Sequence, residues 1–223
     1  MVYKKRNLLA TLFCCITPLI AMQREETPNT IQNTYLLQDT EDGNIPAIQE
    51  ALAKGACINS QDTRNGKTAL IIAVEKEYNL VRFLLQFGAN SRIKDHLGRT
   101  ALMWAALKGQ YDISQLLLQQ GALYDEKDNF GHTALMHAAI SGHYDICQLL
   151  LQFNPTIDLQ DIQDKTAFIY AAINGNSMIM QLLLLHGAAM NKKDHKNRTA
   201  LYYARRYNNT AACALLAQIG ATE

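Results

Sequence analysis

Five times in its 223 residues the chain repeats Thr-Ala-(Leu/Phe), at Thr68, Thr100, Thr133, Thr166 and Thr199, with spacings of 32, 33, 33 and 33. A fixed period of this length is the signature of a stacked architecture in which each unit packs on its neighbours. It rules out a core assembled from distant segments of the chain. The frame around each copy is constant too. An Asp lies five residues before the Thr in four copies (Asp95, Asp128, Asp161, Asp194) and six before it in the first, at Asp62. After each Thr comes an apolar run, Ala-rich in most copies, and then a turn. In three copies a Leu triplet follows, at 116–118, 149–151 and 182–184. Gly88-Ala89, Gly121-Ala122 and Gly187-Ala188 close three of the units.

The frame predicts a hairpin loop and two short antiparallel helices per unit. Each Thr is a good N-cap for the first helix. Gly66, Gly98 and Gly131, two residues before the Thr, supply a positive φ, and Asp164 and Asn197 take over where glycine is missing. The Ala105-Ala106, Ala138-Ala139 and Ala171-Ala172 pairs let neighbouring first helices approach, and the Leu triplets fill the seams. Asn154, where other units carry Gly, is expected to form a left-handed cap. The second unit is one residue shorter between its helices and one longer in its hairpin.

The stretch Asp128-Asn-Phe-Gly-His-Thr-Ala-Leu-Met-His-Ala-Ala-Ile-Ser-Gly-His143 is the copy that most resembles the ankyrin repeat. That family's pattern runs D-x-x-G-x-T-P-L-H-x-A-A-x-x-G-H, then a Leu-rich second helix, then Gly-Ala. Here Ala replaces the Pro in every copy, and the His becomes Ile71, Met103, Met136, Ile169 or Tyr202. The resemblance implies an all-α ankyrin-repeat solenoid that recognises proteins through its hairpin tips and the exposed side of its first helices.

A degenerate sixth copy is expected in front, with Thr34-Tyr35-Leu36 in register 34 residues before Thr68. The units then run at about 29–61, 62–94, 95–127, 128–160, 161–193 and 194–223, which leaves no room for a separate catalytic domain within them. Asp39-Thr40 at one end, and Arg205 with Asn208-Asn209 at the other, are read as polar outer faces that stop the stacking.

Residues 1–21 have a different character. Lys4, Lys5 and Arg6 precede the uncharged stretch Leu8–Ala21, which gives way to Gln23-Arg24-Glu25-Glu26. This is the layout of a secretory signal peptide, and 14 residues are too few to span a membrane as a helix. A short linker, 22–28, would follow it. The expectation is a secreted or periplasmic protein, with a membrane-anchored one as the alternative if the segment is not cleaved. The net charge of +1 gives no general reason to bind nucleic acid. Cys57, Cys147 and Cys213 would survive cleavage; Cys147 and Cys213 share a register two units apart, too far to pair, and all three are read as small buried residues.

No His-Glu-x-x-His, nucleophile elbow, Cys-x-x-Cys or phosphate loop is present. The expectation is therefore no catalytic residue, no cofactor and no metal, and the Asp column is read as ordering the hairpins. The family resemblance instead points to a surface for one protein partner, bound by a monomer. Four residues after each Thr, Trp104, His137, Tyr170 and Tyr203 form an aromatic column. Seven after it, Leu107, Ile140 and Ile173 are apolar in the central units, while Glu41, Glu75 and Arg206 flank them. Leu97, Phe130 and Ile162 lie at the hairpin tips. Arg99, His132 and Lys165 belong to a basic edge that includes Lys67 and Arg198, and Lys108 adjoins Leu107. Apolar residues within a charged rim have the composition of an interface; packing against the next unit is the competing reading, most evenly matched for Trp104 and Tyr170. Three other roles share the frame: a membrane-tethered cytosolic adaptor, a host-directed effector, and, least favoured, an enzyme subunit.

Overall fold

The computed structural model describes residues 28–222. The signal peptide and most of the linker read from the sequence lie outside them. Twelve helices follow in pairs: α1 (Pro28–Glu41) with α2 (Ile45–Ala53), α3 (Ala69–Val74) with α4 (Tyr78–Gln86), α5 (Ala101–Lys108) with α6 (Tyr111–Gln119), α7 (Ala134–Ser141) with α8 (Tyr144–Leu151), α9 (Ala167–Ile173) with α10 (Ser177–Leu185), and α11 (Ala200–Arg206) with α12 (Thr210–Gln218). First helices stack on first helices and second on second, so the described residues form an all-α solenoid.

All but α1 are six to nine residues long, too short to persist alone in water. Packing stabilises them. The Ala pairs of α5, α7 and α9 are fully buried, as are Leu117, Leu150 and Leu183 from the second helices, in one apolar core that runs the length of the stack. The five Thr residues cap as expected: each side-chain oxygen accepts from the backbone N–H three residues on, at Ile71, Met103, Met136, Ile169 and Tyr202.

Successive hairpins are joined through their backbones. The N–H groups of His96, Asn129, Ile162 and His195 donate to the carbonyls of Asn65, Leu97, Phe130 and Gln163, at 2.9–3.1 Å. This closeness explains one of the glycines. Gly131 has φ +80°, and a Cβ there would lie 2.8 Å from both Asp161 Cα and Ile162 N. Asp164 and Asn197 adopt the same left-handed conformation, at φ 59° and 57°, and Asn154 forms its cap at φ 51°.

The first unit departs from expectation. It has no hairpin. Its first helix starts at Pro28, and Thr34 is no cap but lies inside α1, its hydroxyl donating to Thr30 O. Asp39 and Thr40 are buried, not outward-facing. They occupy the register of the Ala pairs, which turns them toward the stack, and the Thr40 hydroxyl donates to Leu36 O at 2.7 Å. The outer surface of α1 carries Ile31, Thr34 and Tyr35 instead. At the far end Arg205 and Asn208 are exposed, as expected, but Asn209 is half-buried and faces the stack, its Nδ2 donating to Ala172 O and Ile173 O at 2.8 Å. The cysteines also divide: Cys147 is buried, Cys213 half-buried and Cys57 exposed, so the buried reading fails at Cys57, which lies in the loop after α2. All three are free thiols. Burial pushes the Cys147 thiol up to about 12.

Candidate recognition surface

Each hairpin is organised by its Asp, and the two carboxylate oxygens have separate tasks. Asp95 Oδ1 accepts from the N–H groups of Leu97 and Arg99 at 2.9 and 2.8 Å. Asp128 does the same for Phe130 and His132, Asp161 for Gln163 and Lys165, and Asp194 for Lys196 and Arg198. The other oxygen, Oδ2, accepts from the side chain nine residues further on. Trp104 Nε1 donates to Asp95 at 2.9 Å, His137 Nε2 to Asp128 at 3.0 Å, the Tyr170 hydroxyl to Asp161, and the Tyr203 hydroxyl to Asp194 at 2.6 Å. The second unit lacks this arrangement. Its extra hairpin residue moves Asp62 out of register, and Ile72 stands where the donor would be.

The aromatic column therefore locks hairpins to first helices, a role the sequence reading did not give it. His137 is 2% exposed and cannot meet a partner, which corrects its assignment to the binding surface. Trp104 and Tyr170 are half-buried against the core, so packing is the correct reading for most of each ring. Burial holds His137 down to about 4, against the opposing pull of Asp128. At Asp161, burial alone would raise the carboxyl, but hydrogen bonds from His132, Tyr170 and the Lys165 and Gln163 backbones outweigh it and bring it down to about 2.

The basic edge is folded back onto this column. Lys67 Nζ lies 4.4 Å from the Trp104 ring centroid and the Arg99 guanidinium 5.1 Å from it. Lys165 sits 5.5 Å from the rings of both Tyr170 and Tyr203. Arg99 Nε is 3.7 Å from Asp128 Oδ2, and His132 meets Tyr170 edge-on. Arg99, His132 and Lys165 are thus half-buried. Lys108 is exposed, 3.9 Å from Glu75. Three ligating side chains also converge here: one ligand atom from each of Asp128, His132 and His137 lies within 4.8 Å of the others. Their spacing of four and five residues matches no metal motif, and only the hairpin turn brings them together.

The tips remain open. Leu97, Phe130 and Ile162 are 43%, 45% and 69% exposed on three successive hairpins. Leu107, Ile140 and Ile173 are half-buried where the first helices end. Their carbonyls are held by the next unit, through His143 Nε2 at 3.2 Å, Asn174 Nδ2 at 2.6 Å and Asn209 Nδ2 at 2.8 Å. Exposed apolar residues also occur on the second helices, at Tyr111, Met178 and Leu185. The sequence reading missed these; Leu185 directly follows a Leu triplet and looks like part of it.

No helix among the described residues is long and apolar enough to cross a membrane. Comparison with curated proteins finds no match. A family profile described as "Ankyrin repeats (3 copies)" matches in four overlapping placements, at 36–128, 89–161, 120–194 and 153–222. With its capped helix pairs and linked hairpins, this chain belongs to the ankyrin-repeat family, whose repeats are protein–protein interaction modules and generally non-enzymatic scaffolds.

Proposed function

We propose that the chain is an exported, non-enzymatic binding protein that holds a partner protein against the hairpin tips and first-helix ends of its third to fifth units. The observation that carries this reading is the row of Leu97, Phe130 and Ile162, exposed on tips that are tied together through their backbones. Apolar side chains fixed on an ordered backbone can be buried by a partner with little ordering cost. The half-buried Leu107, Ile140 and Ile173 extend the surface toward the first helices. Arg99, His132, Lys165 and the rings of Trp104 and Tyr170 support it from beneath. The basic, then apolar, layout of residues 1–21 supports export, and the mass of the mature chain tests it: loss of those residues fits export, retention fits a tether.

The binding reading is tested by crosslinked capture from the native cell. One bait is the natural sequence; the other carries Leu97→Asp, Phe130→Ala and Ile162→Asp, with circular dichroism confirming that both fold. A protein captured by the first and lost from the second supports the reading. Identical capture by both contradicts it.

A further inference from the structure

We propose that Asp128, His132 and His137 bind one divalent transition-metal cation of the zinc type. The fourth unit differs from its neighbours at two positions around its Asp. In the third, fifth and sixth units the residue before the Thr is Arg99, Lys165 or Arg198, and the Oδ2 partner is Trp104, Tyr170 or Tyr203. None of these six pairs with its Asp as a two-nitrogen ligand set. The fourth unit has histidine at both positions, around one buried carboxylate.

The hydrogen bonds then fix what faces what. Asp128 Oδ1 is engaged by the Phe130 and His132 N–H groups, which leaves Oδ2 as the ligand oxygen. The Tyr170 hydroxyl gives its hydrogen to Asp161 Oδ2, so its oxygen accepts from His132 Nε2, 3.1 Å away. His132 Nε2 also lies 3.4 Å from Asp161 Oδ2. His132 Nε2 thus faces the Tyr170 and Asp161 oxygens, and its Nδ1 lies 3.7 Å from Asp128 Oδ2. A cation there would be held by that nitrogen and that carboxylate oxygen together. Behind the ring, Asp161 is the carboxylate that commonly orients a metal-bound histidine.

The dimensions suit the cation. Bonds of about 2.0–2.1 Å put tetrahedral donor atoms roughly 3.3 Å apart. Here Asp128 Oδ2 lies 3.0 Å from His137 Nε2 and 3.7 Å from His132 Nδ1. On binding, the His137 ring proton moves from Nε2 to Nδ1, which frees the Nε2 lone pair; water takes the fourth position. Arg99 opposes the cation, since its Nε lies 3.7 Å from the same oxygen, but that Nε makes no hydrogen bond and its guanidinium also rests over Trp104.

The test is titration of the metal-free full chain with Zn²⁺ by calorimetry and with Co²⁺ by visible absorption. The expected result is one ion per chain and a Co²⁺ band of tetrahedral intensity. His137→Tyr and His132→Lys adopt the residues used in neighbouring units, so they preserve the fold's contacts while removing a ligand, and each is expected to abolish both signals. Asp161→Asn should weaken binding about 10–100-fold, Arg99→Gln should tighten it, and His195→Ala, at an exposed histidine, should change nothing. No binding by the natural sequence, unchanged binding in the folded His137→Tyr and His132→Lys chains, or loss on His195→Ala would each overturn the proposal.

Discussion

Trp104 Nε1 donates to Asp95 Oδ2 at 2.9 Å, across nine residues that include the whole turn from hairpin to helix. The same oxygen of Asp128, Asp161 and Asp194 takes His137, Tyr170 and Tyr203. Three chemically different donors serve one geometric purpose, so the position selects for a ring that reaches the carboxylate. The basic residue before each Thr then packs on or beside these rings.

Asp95 should accordingly matter far more than Asp62. Asp95→Ala strands two backbone N–H groups and the indole N–H, and should cost about 2–4 kcal/mol in chemical denaturation. The Asp62 carboxylate makes contacts of 3.3 and 3.4 Å to Arg64 alone, so Asp62→Ala should cost less than about 1 kcal/mol.

Acid stability should depend on Asp194. Burial alone would raise its carboxyl, but hydrogen bonds from Arg198, Tyr203 and the Arg198 and Lys196 backbones prevail and hold it well below the usual carboxylate range. A lowered folded-state value means the carboxylate stabilises the fold above its unfolded pKa of about 4, and that contribution declines as pH falls further. Stability measured from pH 6 down to about 2 should therefore drop less steeply in Asp194→Asn than in the natural sequence.

The seam between second helices should be sensitive to volume. Leu117→Ala, at a fully buried position, should cost about 2–5 kcal/mol by thermal or denaturant unfolding. Leu185→Ala, 84% exposed, should stay within about 0.5 kcal/mol of the natural sequence.

Gly131→Ala should destabilise by about 1–3 kcal/mol, through both its positive φ and the approach of Asp161 and Ile162. Gly121→Ala has a similar φ of +79° but nothing within 4 Å of its Cβ, so it should cost less. The difference between the two measures how tightly the fourth and fifth hairpins are joined.

Units two to six were legible because period and capping residue agree at every copy: Thr68, Thr100, Thr133, Thr166 and Thr199 all cap a helix. The first unit was not. Counting back 34 residues puts Thr34 at a cap position, but α1 already runs through it from Pro28, with no hairpin to interrupt the helix. The tips Leu97, Phe130 and Ile162 could be read as surface because loop residues have few neighbours. The aromatic column could not, because periodicity shows which residues are equivalent and not which way they face. Asp at five before the Thr and an aromatic at four after it were both visible as columns; that they join needed the turn between them in three dimensions. His137 shows the consequence, an aromatic-column residue read as surface that is buried on Asp128.

Whether partners meet the hairpin tips of the middle units can be read by site-specific photocrosslinking in the native cell. A photoreactive phenylalanine replaces Phe130 in one chain and Leu185, on the second helices, in another. A protein adduct is expected from position 130 and none from position 185. An adduct from position 185 with none from 130 would contradict it, and would move the binding surface to the second helices.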